Sequence, residues 1–143
     1  MHTFICYLIG KKEDISITRM LSNIFKLNEE FVGDLLDDGD FKIRFENRIL
    51  DNTSEFCTEL NVYTKDEIII SANIFLFGIE VSEYLDEEVI VGFNGGDPYQ
   101  WILIKDNLFF LIDEEISDEN YGINVHKSTK IEISYDHAID ISK

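Results

Sequence analysis

Carboxylates are the side chains that this 143-residue chain offers most freely for chemistry: 29 Asp and Glu stand against 12 Lys and Arg, a formal charge of −17. Paired carboxylates can do general acid–base work, and several together can hold calcium, so their spacing is read first. Glu87 and Glu88 are adjacent, but in so acidic a chain one pair says little about glycoside hydrolysis. The run Asp34 to Asp40 suggests a calcium loop until it is counted. With Gly39 at the loop's sixth position, Leu36 and Phe45 fall where oxygen ligands are required. Other reactive types are sparse. His2, His126 and His137 are scattered, and Cys6 and Cys57 lack CxxC spacing or a basic neighbour, so both read as reduced core residues. Gly92, Gly95 and Gly96 lie between two strand-like runs and do not open a helix, which argues for a tight loop over a dinucleotide site. Ser134, Asp136 and His137 are close in sequence, but adjacency does not make a triad. The expectation is a protein that is not an enzyme and needs no metal or cofactor; a small hydrolase using the acid clusters is the alternative.

The acids are unevenly placed. Asn28 to Asp40 and Glu80 to Asp97 hold six each and Asp113 to Glu119 holds five, with no Lys or Arg inside any of them. Elsewhere acids and bases balance. A halophile's acidic coat would be general and Ala-rich, whereas this chain has 22 Ile and two Ala. Clustered like charge costs stability by self-repulsion, so its retention points to use. With no basic patch, nucleic acid is disfavoured as a direct partner. The segments instead suit a basic protein. Candidate contacts are Glu30, Asp34, Asp37, Asp38 and Asp40 in the first segment. The second offers Glu83, Tyr84, Asp86, Glu87, Glu88 and Asp97, with Tyr99 and Trp101 just beyond it. The third offers Asp113, Glu114, Glu115, Asp118 and Glu119. Tyr and Trp among carboxylates combine interface anchors with electrostatic steering.

The elements that position these residues read as one α+β domain over residues 1–143, a mostly antiparallel sheet with two N-terminal helices packed on it. Thr3 to Ile9 is a continuous apolar run, expected as a central strand buried on both faces. Ile17, Met20, Leu21, Ile24 and Leu27 recur at helical spacing, which predicts a helix over 15–27 capped by Asp14 or Ser16. Asn28 is placed to cap a second, short helix with Phe31, Val32, Leu35 and Leu36 as its apolar face and Gly39 as its stop. Glu30, Asp34 and Asp38 would then form an acidic stripe on it. Strands are expected over 41–46 and 60–64, with Asp51 to Ser54 in the loop between them. Residues 68–85 fit either a helix face or, through β-branching and Gly78, strands. Further strands are expected over 88–93, 99–105 and 108–113, with Asp106-Asn107 as a two-residue hairpin loop. Residues 120–126 and 130–135 add two strands at the edge. No apolar stretch is long enough to span a bilayer, and Met1 to Gly10 has neither a preceding basic residue nor a following cleavage site. A cytoplasmic location without membrane contact is therefore expected.

The stretch Val89-Ile90-Val91-Gly92-Phe93-Asn94-Gly95-Gly96-Asp97-Pro98-Tyr99, followed by Trp101 to Lys105 and Leu108 to Glu114, resembles the strand, Gly-rich turn, strand, strand pattern of the SUKH superfamily. Leu27 to Phe31 with Leu35, Leu36 and Gly39 is similar to the short helix upstream in those proteins. More broadly the chain resembles small acidic immunity proteins of bacterial polymorphic-toxin and contact-dependent growth inhibition systems. That resemblance implies an inhibitor that neutralises a basic toxin, plausibly a nuclease, by covering its active site. A DNA mimic that antagonises a DNA-binding or restriction enzyme is the other binding reading. Oligomeric state is left open.

Overall fold

The computed structural model describes residues 1–68 and 73–143. Its first strand, β1 (His2–Leu8), alternates: Phe4, Cys6 and Leu8 are buried while Thr3 and Ile5 are exposed, Ile5 by 43%. The run expected to be buried on both faces is covered on one. Burial of Phe4, Cys6 and Leu8 is supplied by two amphipathic helices, α1 (Asp14–Phe25) and α2 (Ile74–Leu85). The other strands are β2 (Val32–Asp34), β3 (Ile43–Ile49), β4 (Thr58–Thr64), β5 (Val89–Val91), β6 (Gln100–Lys105), β7 (Leu108–Glu115) and β8 (Asn124–Ile133). They form one eight-stranded sheet ordered β2-β3-β4-β1-β5-β6-β7-β8, so β1 is central as expected. A third helix, α3 (Tyr135–Ile141), closes the chain. Among the described residues no helix is long and apolar enough to cross a membrane.

The class is α+β, with two corrections to the expected arrangement. Only α1 is N-terminal, since α2 follows β4 and α3 follows β8. The sheet is also mixed, because β2 pairs parallel to β3 while the other described ladders are antiparallel.

The acidic helix is absent. Asn28 precedes a single 3₁₀ turn, Glu29–Phe31, after which the chain extends into β2. Three forces favour this outcome. A stripe of like charge weakens a helix. Val32 and Gly33 gain burial at the sheet edge, where the Phe41 ring lies over Gly33, 2.6 Å from where a Cβ would stand, so that a side chain there would displace the ring. The Arg44 guanidinium then donates to the carbonyls of Asp37 and Gly39, each at 2.7 Å, and more weakly to Asp34 and Leu35 at 3.4 Å. These bonds fold residues 34–39 into a loop, and Leu36, expected on an apolar helix face, is 89% exposed.

Helix α1 starts one residue before its expected span and carries no side-chain cap from Asp14 or Ser16; it ends at Lys26 in the left-handed region. The ambiguous stretch is helical from Ile74, and its part over 69–72 lies outside the described residues. Asn73 caps α2 through Oδ1, which accepts from the backbone N–H of Phe75 at 2.8 Å and of Leu76 at 3.2 Å. Gly78, read as a strand signal, serves helix–sheet contact instead. A Cβ on it would stand 2.7 Å from Ile104 Cδ1 and 3.0 Å from Val91 Cγ1. Asp106 and Asn107, with φ of 52° and 61°, form the expected hairpin loop. The two expected edge strands are one continuous strand, β8, whose ladder with β7 is offset between Leu111 and Asp113.

Phe56, Ile90, Leu103, Ile112, Ile123 and Val125 make a second, small core on the face away from the helices. Its cover is the loop before β4, bridged to β8's approach by Phe56 and Ile123. Asp51 holds this cover. Its carboxylate accepts from the backbone N–H groups of Thr53, Ser54, Tyr121 and Gly122 and from Ser54 Oγ.

Candidate functional site

The hairpin of β6 and β7 draws the end of the second acidic segment against the start of the third. Glu114 donates its backbone N–H to the Tyr99 carbonyl at 2.7 Å, and Gln100 Nε2 donates to Asp113 Oδ1 at 3.4 Å. Trp101 pairs with Ile112 across the ladder and donates its indole N–H to Glu114 Oε1 at 3.0 Å. Asp97, Tyr99, Trp101, Asp113, Glu114 and Glu115 are thereby gathered at one end of the sheet. Asp97 also orders the turn, its carboxylate accepting from the Tyr99 N–H at 2.9 Å. Asp118 and Glu119 follow in the next loop, with Ile116 61% and Tyr121 83% exposed. Among the described residues none of the six acids in this group has an ion-pair partner.

The other predicted contacts lie elsewhere. Asp86, Glu87 and Glu88, at the far end of α2 and the start of β5, are paired with Lys105 at 2.9 Å, Lys12 at 2.9 Å and Lys127 at 3.1 Å. Lys105 is shared with Asp106, and the bonds from both acids raise its pKa. Glu83 and Tyr84 are on α2, away from the aromatic face of the sheet. Asp34 to Asp40 form the loop beside β2, where Asp40 meets Lys65 at 3.1 Å and Asp34 Oδ1 accepts from the Leu36 N–H at 2.9 Å. Glu30 is in the 3₁₀ turn before it. With β2 first and β7 seventh in the sheet, the first and third segments are about 29 Å apart along the strand spacing. The three segments do not share one surface.

What joins the gathered end to the rest of the molecule is a line of side chains on the sheet face that carries no helix. Trp101 and Tyr7 meet edge to face with ring centroids 5.1 Å apart. The Tyr7 hydroxyl donates to Glu59 Oε2 at 3.0 Å, and Glu59 Oε1 accepts from Arg48 and Asn61, each at 2.9 Å. Beside them Tyr63 donates to Glu46 Oε1 at 2.8 Å. Burial, then the Glu59 charge and hydrogen bond, raise the Tyr7 pKa; the bond to Glu46 does the same for Tyr63. Both phenols stay protonated donors. The line reads Glu114, Trp101, Tyr7, Glu59, Arg48 across β7, β6, β1, β4 and β3. Sequence reasoning named its first two members and missed the rest. The signal was the period-two alternation of Arg44, Glu46 and Arg48, of Glu59, Asn61 and Tyr63, and of Thr3, Ile5 and Tyr7.

Among the described residues no three His, Cys, Asp or Glu side chains are grouped to hold a metal ion. Ser134 Oγ accepts from the backbone N–H of His137 as the cap of α3. Cys6 and Cys57 are free and buried, and burial pushes the Cys6 thiol up to about 12. Comparison of the chain with protein-family models, curated proteins and solved structures finds no match.

Proposed function

We propose that this protein is a stoichiometric inhibitor of a basic protein, acting as an immunity protein whose acidic end covers the active site of a toxin such as a nuclease. The observation that carries this reading is the group of six carboxylates, without cation partners among the described residues, around Tyr99, Trp101, Ile116 and Tyr121. Uncompensated charge of one sign accelerates encounter with a partner of the other, and exposed aromatic side chains supply the short-range contact that holds it. A nuclease needs a cationic groove for phosphates, which is the surface this group complements. Mimicry of duplex DNA fits less well, because the acids fall into separated groups, and some are neutralised by the protein's own lysines.

The test is capture followed by rescue. The tagged protein is used to retain partners from nuclease-treated host lysate at about 0.5 M salt, where the Debye length is only a few Å. The reading expects one basic protein in equimolar amount, toxic when expressed alone and harmless when co-expressed with this chain. No such protein, or many DNA-binding proteins held only at low salt, refutes it.

A further inference from the structure

We infer that the groove beside Trp101 and Tyr7 receives an arginine side chain of the protein partner, an inference that rests on the inhibitor reading and specifies its chemistry. The groove, of about 340 Å³, is lined by Thr3, Ile5, Tyr7, Ile74, Gly92 and Trp101. Its walls are mainly apolar, and two of its lining side chains, Tyr7 and Trp101, are hydrogen-bonded to the carboxylates of Glu59 and Glu114.

Four observations point to a cation. First, both aromatic side chains have their polar tips tied to carboxylates, Trp101 to Glu114 and Tyr7 to Glu59. Hydrogen-bond donation to an anion polarises the donor ring, and the negative faces that attract cations are strengthened. Second, the described cation–π contacts place Lys42 on Phe31, Arg44 on Phe41 and Lys130 on Phe110, so none of them sets one of the protein's own cations on Trp101 or Tyr7. Third, Arg48, the cation of this line, is held 2.9 Å from Glu59 on the far side of Tyr7 and leaves Glu114 without an ion-pair partner among the described residues. Fourth, Gly92 and Trp101 both line the groove, and the lack of a side chain at Gly92 leaves Trp101 Cζ3, 3.8 Å from where a Cβ would stand, uncovered on that side. A lysine could satisfy the charge alone. The planar guanidinium also stacks on an indole and donates paired N–H bonds to a carboxylate along its edge, and its stem suits the wall made by Ile5 and Ile74.

The probe is a blocked decapeptide of alternating Arg and Gly, compared with its Lys counterpart at 0.15 M salt. Trp101 is the chain's one tryptophan, so its fluorescence reports on this groove. The Arg peptide should change the emission saturably and bind about fivefold more tightly than the Lys peptide. Glu114→Gln and Tyr7→Leu should each weaken it by about fivefold to tenfold, followed by calorimetry on variants whose circular dichroism matches the parent. The paired change Asp37→Asn and Asp38→Asn, in the distant loop, should leave it unchanged. If that loop variant loses binding while Glu114→Gln and Tyr7→Leu keep it, the arginine groove is refuted and the inhibitor reading stands on another acidic surface. Equal affinity for the Arg and Lys peptides also refutes the groove. A native partner that is captured and rescued, but bound as tightly by Glu114→Gln, separates the two readings in the same way.

Discussion

Replacing Trp101 tests whether the line across the sheet is a built structure or a chance alignment. The ring is partly buried, packs on Tyr7 at 5.1 Å and donates to Glu114 at 3.0 Å. Truncating a fully buried Trp costs about 3–5 kcal/mol, so with part of this ring in solvent we expect about 2 kcal/mol for Trp101→Ala. Trp101→Phe keeps a ring against Tyr7 and loses the N–H donor. A hydrogen bond to a shielded charge is worth about 1.5–3 kcal/mol, and solvent access brings this one to about 1 kcal/mol. For a chain of this length about 1 kcal/mol moves the melting temperature by roughly 3–5 °C. Thermal unfolding followed by far-ultraviolet circular dichroism should therefore show a loss of about 3–5 °C for Phe and about 6–10 °C for Ala. Glu114→Ala combined with Trp101→Phe should show a coupling of about 1 kcal/mol by urea titration. Both Trp101 variants melting within about 1 °C of the parent, or a coupling below about 0.3 kcal/mol, would refute the reasoning.

Three further outcomes follow from the same geometry. Gly122→Ala places a Cβ 2.7 Å from Ser54 Cβ and 2.9 Å from the Phe56 carbonyl, so it should destabilise by about 1–3 kcal/mol, read by urea unfolding. The Asp51 carboxyl is held far below the ordinary carboxylate range, first by the Ser54 hydroxyl and then by the Gly122 and Ser54 amides. Its contribution is present in full above the unfolded pKa of about 3.9 and disappears as pH falls towards the folded value, so Asp51→Asn should lessen the stability lost between about pH 4 and pH 2. Arg44→Met removes the donor to four carbonyls of the 34–39 loop. Amide exchange should rise in that loop while α1 stays protected, and unchanged exchange would show that the loop does not depend on Arg44.

What the sequence made legible is what local pattern controls. Ile17, Met20, Leu21 and Ile24 repeat at helical spacing and are buried on α1, and Asp106-Asn107 sets its hairpin turn unaided. The centrality of β1 was visible in its apolar content, yet its open face was not. Ile5 and Tyr7 are apolar enough to hide the alternation with Phe4, Cys6 and Leu8. Gly78 shows a different limit. A glycine in a β-branched stretch has the same letter whether it weakens a strand or admits a helix against Ile104 and Val91, and the packing partner decides. The acidic helix failed in part for a non-local reason that adds to its like-charge stripe, because Arg44, from the neighbouring strand, organises the carbonyls that a helix would have bonded internally.

Charge counting had the same weakness, and correcting it changes where binding is to be sought. By sequence the three acidic segments are equivalent, each free of Lys and Arg. Folding breaks that equivalence by bringing Lys12, Lys105 and Lys127 from outside to Glu87, Asp86 and Glu88. Three of the second segment's carboxylates thus serve the protein's own surface, where exposed pairs contribute little to stability and little field at a distance. The third segment and Asp97 receive no such partners among the described residues, and they adjoin Trp101, whose indole tip is bound to one of them. Long-range attraction and short-range aromatic contact therefore coincide at that end of the sheet. On the inhibitor reading proposed above, a partner drawn by the charge would arrive where Trp101 can hold it, so charge removal there should slow association, whereas loss of Trp101 should speed dissociation. Stopped-flow mixing of the captured partner with Asp113→Asn/Glu115→Gln and with Trp101→Phe separates the two effects. Acid removal that alters only the dissociation rate would break the link between steering and anchoring.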